Sequence, residues 1–119
     1  HLGSWIAAGW AHLLAGDAMT ARARFDHACA LDDNFAEAHG SLAVLDLLAG
    51  DVDSGRRRTE VALRLDRESF AGTFAAMMLA AGAGDAARAE AIMARALTTP
   101  LDPQGTTIAE ALARMGARG

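Results

Sequence analysis

The chain has 119 residues, 52% hydrophobic and 22% charged, which is enough to bury a core and excludes a disordered chain. Its net charge is −4, and all 11 basic residues are Arg scattered along the sequence, so it lacks the concentrated positive face that nucleic acid requires. No apolar run reaches the roughly 18 residues of a membrane span, and a single cysteine, Cys29, cannot form an internal disulfide.

The apolar residues are mostly Ala and Leu, which favour helices, while β-branched residues are few and Tyr is absent. Both prolines fall late, at Pro100 and Pro103, so nothing interrupts helices before them and an all-α fold is expected. The first helix-periodic stretch covers about 2–15 and stops at Gly16-Asp17. Glycine at a helix end supplies the left-handed residue that side chains tolerate poorly, and the following Asp caps the next helix. A second stretch covers about 18–31 and is broken by Asp32-Asp33-Asn34-Phe35.

"LLAGD" at 13–17 then returns at 47–51 and, in altered form, as "AGAGD" at 81–85. Each copy is read as a helix end, a turn and a helix start, making one hairpin of antiparallel helices. Helices are therefore expected over about 36–49, 52–65, 70–83 and 86–97. Asp102-Pro103 opens a last helix over about 103–116, with Thr107 and Glu110 as a rival capping box. That helix would cover the exposed face of the third unit.

The Gly-Asp pairs recur every 34 residues, as do Leu31-Asp32 and Leu65-Asp66, and Ala28, Ala62 and Ala96. Three markers with one period and no gaps define a solenoid of units at about 2–35, 36–69 and 70–103. The spacing resembles the tetratricopeptide repeat. Unit one carries Trp5, Ala8-Gly9, His12, Ala21, Phe25 and Ala28 at the positions of that family's pattern. Unit two has His39, Leu42-Ala43, Asp46, Gly55, Thr59 and Ala62, and unit three has Thr73, Ala76-Met77, Ala80, Ala89, Met93 and Ala96. Gly55 and Thr59 depart from the family's Ala and aromatic, Met77 from a small residue, and Asp33 and Arg67 stand where its Pro closes a unit. The resemblance covers about 2–103 and implies a right-handed α-α superhelix of three hairpins with a C-terminal capping helix, all in one domain. Small residues agree with it: Gly9 and Ala21 stand where paired helices should cross, and Ala28, Ala62 and Ala96 where units should meet.

In that family the first helix of each hairpin lines a concave groove, which implies a non-catalytic scaffold for a partner protein or peptide. Carried over by register, the groove residues are Ile6, Trp10, Leu13, Gly40, Val44, Leu47, Phe74 and Met78, with Ala81 beside them. Trp10, Val44, Phe74 and Met78 share one helical face and suit an amphipathic helix or an extended apolar peptide. Leu14 and Leu48 are expected in the core, with Leu13 shared between core and groove. A close ligand backbone or drift at an unimportant site would each explain mid-helix Gly40. The family's carboxylate clamp for chaperone C-termini is not expected, because there is no Lys and the one Asn, Asn34, lies in a loop.

No cofactor or metal is expected: His12, His39 and Cys29 have no ligand spacing. The two histidines are read as packed rings and Cys29 as a small buried hydrophobe. Gly82-Ala83-Gly84 follows no strand, so it is a helix turn rather than a phosphate loop. Arg56-Arg57-Arg58 is read as a solvated face, with an anionic docking patch as the minor reading, and no catalytic constellation is recognised.

Two other readings stand beside the scaffold. The edge formed by Trp5, Ile6 and Trp10 would serve a homodimer or absent upstream repeats, as in a secretion chaperone or an envelope or pilus assembly factor. The chain would otherwise be the regulatory part of a larger enzyme, since it opens on His1 and is read as a fragment. Ala, Gly and Arg richness points to a bacterial source. With no visible signal peptide, a cytoplasmic location is expected, or a periplasmic one if a leader precedes His1.

Overall fold

A computed structural model of the chain describes residues 2–98. Among them lie six helices and no strand: α1 (Leu2–Leu14), α2 (Ala18–Leu31), α3 (Ala36–Leu48), α4 (Val52–Leu65), α5 (Phe70–Gly82) and α6 (Ala86–Thr98). Helix starts recur at intervals of 34 residues, and each bound falls within one residue of the expected position. The expected helix over about 103–116 lies outside the described residues.

The turns explain this regularity. Gly16 and Gly50 have φ of 86° and Gly84 has 81°, the left-handed conformation that ends a helix. Gly16 N–H donates to the Leu13 carbonyl and Asp17 N–H to the His12 carbonyl. The same pair of bonds closes α3 at Gly50-Asp51 and α5 at Gly84-Asp85. Each aspartate then caps the next helix, Asp17 accepting from Thr20 N–H, Asp51 from Ser54 and Asp85 from Arg88. Between hairpins, the Asp32 and Asp66 N–H groups donate back to the Ala28 and Ala62 carbonyls, while their carboxylates accept from Asn34 and Glu68 N–H. Two kinds of aspartate turn thus alternate along the chain.

Each helix packs on its hairpin partner; α2 also meets α3, and α4 meets α5. α3 lies extensively against α5 but touches α1 only narrowly. Consequently α3 is the centre of the fold, and its residues from Gly40 to Asp46 are all buried. One core cluster holds Ala21, Phe25, Leu42 and Leu45, with Ile6, Trp10, Leu13 and Cys29 against it. A second holds Ala43, Val44 and Ala75, with Trp10, Leu47, Phe74 and Met78 against it. Trp10 touches both. Gly9 lies under the Phe25 ring, where any side chain would overlap it. Ala28 and Ala62 are fully buried, whereas Ala96 is half-buried.

Candidate functional site

An apolar strip crosses the first helices of the outer hairpins. It starts at Phe70, in the first turn of α5, which is 55% exposed. Phe70 stacks on Phe74 one turn later, with ring centroids 6.5 Å apart and planes 19° apart. Phe74 meets Trp10 of α1 edge-on at 6.4 Å and 85°, and Trp10 reaches Phe25 at 6.0 Å. Such offset and edge contacts contribute about 0.5–1.5 kcal/mol beyond burial. The indole N–H of Trp10 donates to Ser41 Oγ at 3.0 Å, which satisfies the one polar atom of the ring and fixes its orientation. Met78, half-buried, rests on the Val44 cluster next to Phe74.

The eight groove residues named from sequence therefore divide. Trp10, Phe74 and Met78 come together and keep part of their surface exposed. Val44 is buried, at 1% exposure, and forms the floor beneath them rather than a contact surface. Gly40 is buried as well. The close approach that it permits comes from α5, because a Cβ there would overlap the backbone of Ala71 and Gly72. That near contact of two backbones draws α5 over α3 and covers Val44. Ile6 and Leu13 pack on the Phe25 cluster, and Leu47 packs between the second cluster and Gly55 of α4. Phe70 escaped the register argument although it lies four residues before Phe74, on the same helical face. Leu14 and Leu48, expected in the core, are 85% and 60% exposed instead. Each is the last residue of its helix, where the chain has already turned away from its partner.

Asp46 is the other departure. This carboxylate of α3 is buried, and it accepts from Arg22 of α2 at 2.8 Å, from Arg58 of α4 at 3.0 Å and from the Ser54 hydroxyl at 2.7 Å. Arg58 is thus a partner of Asp46 and not part of a solvated face, while Arg56 and Arg57 are exposed as expected. Composition could not reveal this, since the register only said that Asp46 stands in an aromatic position.

Cys29 and His39 do meet, with Sγ 3.7 Å from Nε2, but His12 stays apart, 4.0 Å from Asp17. His39 Nε2 also contacts the Asp33 carbonyl at 2.6 Å. The His12 side chain is 40% exposed, so its ring is partly packed and partly in solvent. Burial raises the Cys29 thiol above its ordinary pKa, which keeps it protonated and a poor nucleophile. Among the described residues no group of three or more His, Cys, Asp or Glu side chains could hold a metal ion. No helix among them is long and apolar enough to cross a membrane.

At the α1 edge, Trp5 is covered by two residues of α2: His27, with ring centroids 4.0 Å apart, and Arg24, 5.4 Å over the ring. Ile6 and Trp10 turn into the core. No family model matches the chain, and neither does any curated protein or solved structure.

Proposed function

We propose that the chain is a tetratricopeptide-type scaffold, a right-handed superhelix that binds an apolar segment of a partner protein and catalyses no reaction. The observation that carries this reading is the Phe70–Phe74–Trp10 strip, which joins α5 to α1 and keeps a half-exposed aromatic ring at its open end. A large aromatic left in water is an unspent source of binding energy, about 1.5–3 kcal/mol for full burial. An amphipathic helix presenting residues at i and i+4 would match the Phe70–Phe74 spacing. The 34-residue recurrence of glycine turns and aspartate caps supports the repeat class. Self-association through the α1 edge is the weaker reading, because Arg24 and His27 already cover Trp5 there.

The test is affinity capture from a bacterial lysate by the chain and by a Phe70→Ser/Phe74→Ser variant, after circular dichroism has shown both to be helical. Loss of specific captured proteins by the folded variant is the expected result. Identical capture by both would refute the strip as the binding surface.

A further inference from the structure

The two joints between hairpins can be compared residue by residue, because equivalent positions differ by 34. At the first joint Phe25, Leu42 and Leu45 form the apolar part, and the Asp46 carboxylate meets Arg22 and Ser54. One repeat later the same positions carry Thr59, Ala76, Leu79, Ala80, Arg56 and Arg88. A phenyl ring, an isobutyl group and a carboxylate have been deleted together, and a cavity of about 370 Å³ opens among α4, α5 and the start of α6. Those six residues all line it. The volume lies in the range of small-ligand sites. None of the residues of the aromatic strip contributes to it.

The charge has changed with the volume. Arg56 takes the place of Arg22 and lies 3.9 Å from the exposed Asp53, Arg88 replaces Ser54 and Ile92 replaces Arg58, while Ala80 stands where Asp46 supplied the anion. Glu60 and Asp85 also line the cavity. By register they correspond to Asp26 and Asp51 of the first joint, where Arg22, Arg58 and Ser54 hold the Asp46 carboxylate. Asp85 is moreover engaged as the cap of Arg88 N–H.

We propose that this cavity binds a small monocarboxylic acid with an aromatic or branched apolar body. The carboxylate would take the position that Asp46 holds one repeat earlier, facing Arg56 and Arg88. The apolar body would replace the missing Phe and Leu side chains against Leu79, Ala76 and Leu63. Arginine suits this role because its planar fork matches a carboxylate. This site is independent of the partner-binding strip and stands if that reading fails.

The probes are 3-phenylpropionate and its neutral amide, titrated into the full chain and followed by assigned amide NMR shifts. The acid is expected to shift Ala76, Ala80 and Arg88 and to bind about tenfold tighter than the amide, the ratio expected from one charge-assisted contact. Arg56→Gln should bring the acid down to the level of the amide. Thr59→Phe/Ala76→Leu/Ala80→Asp, which copies the first joint onto the second, should abolish the shifts. Ala80→Asp alone makes the same prediction if the triple variant does not fold. Equal affinity of acid and amide, shifts confined to Trp10 and Phe74, no saturable binding of the acid, or unchanged binding by folded Ala80→Asp would each overturn the proposal.

Discussion

Asp46 and Arg22, 24 residues apart and 2.8 Å from one another, tie the first hairpin to the second through a buried carboxylate. With Arg58 and Ser54 also donating to it, every oxygen has a partner, which is the condition for a buried charge to be tolerated. Breaking a fully buried pair costs about 3–5 kcal/mol. Both arginines here are about a third exposed, and water would solvate them in part. Asp46→Ala should therefore destabilise the chain by about 1–3 kcal/mol, read as a lower urea midpoint. A loss below about 0.5 kcal/mol would mean that the cluster is a surface pair in effect.

The contact of Gly40 with Ala71 and Gly72 gives a second expectation. A methyl group at Gly40 meets backbone, which cannot rotate away, so Gly40→Ala should cost about 1–3 kcal/mol. At Gly82, the last residue of α5, a methyl group would meet nothing within 4 Å, and the backbone there is one that any residue adopts. Gly82→Ala should accordingly be neutral or stabilise by up to about 1 kcal/mol. Thermal melts of the two variants should move in opposite directions or differ plainly. Equal shifts would remove the reason given for the burial of Val44.

The turns offer a test by pH. Hydrogen bonds from the Thr20 hydroxyl and from Thr20 N–H hold the Asp17 carboxyl below the ordinary aspartate range. A carboxylate whose folded pKa is depressed contributes stability above its unfolded pKa and loses it as pH falls through the folded value. Asn caps a helix as well as Asp but does not titrate. The difference in Tm between the chain and Asp17→Asn should stay constant above about pH 5 and shrink below about pH 4. A difference that grows on acidification would contradict the capping role.

The units were legible because their ends are written in local chemistry. A glycine with positive φ and an aspartate cap need only neighbouring residues, so the helix bounds follow from the chain itself. The site was legible in part. Register put Trp10, Phe74 and Met78 on one surface, but it could not tell that α3 and α5 approach through Gly40 and Gly72, which turns Val44 from surface into floor. Nor could it pair Asp46 with Arg22 and Arg58, since those contacts depend on how three helices meet. The 55% exposure of Phe70 is likewise a matter of tertiary packing, although its spacing from Phe74 was in plain sight.

Phe70 is for that reason the better residue with which to separate folding from binding. Trp10 touches both core clusters and bonds to Ser41, so truncating it removes core as well as surface. Phe70 is half in water, and Phe70→Ser should cost about 1 kcal/mol or less, with the helix cap from Ser69 to Gly72 N–H intact. If the strip binds a partner, the same change should weaken that complex by at least about tenfold, as for an aromatic anchor. The readout can be internal, because Trp10 lies edge-on to Phe74 and its fluorescence, isolated in a Trp5→Phe background, should respond when the strip is covered. A partner that binds Phe70→Ser as tightly as the parent chain, with no change in Trp10 emission, would place the contact elsewhere on the molecule.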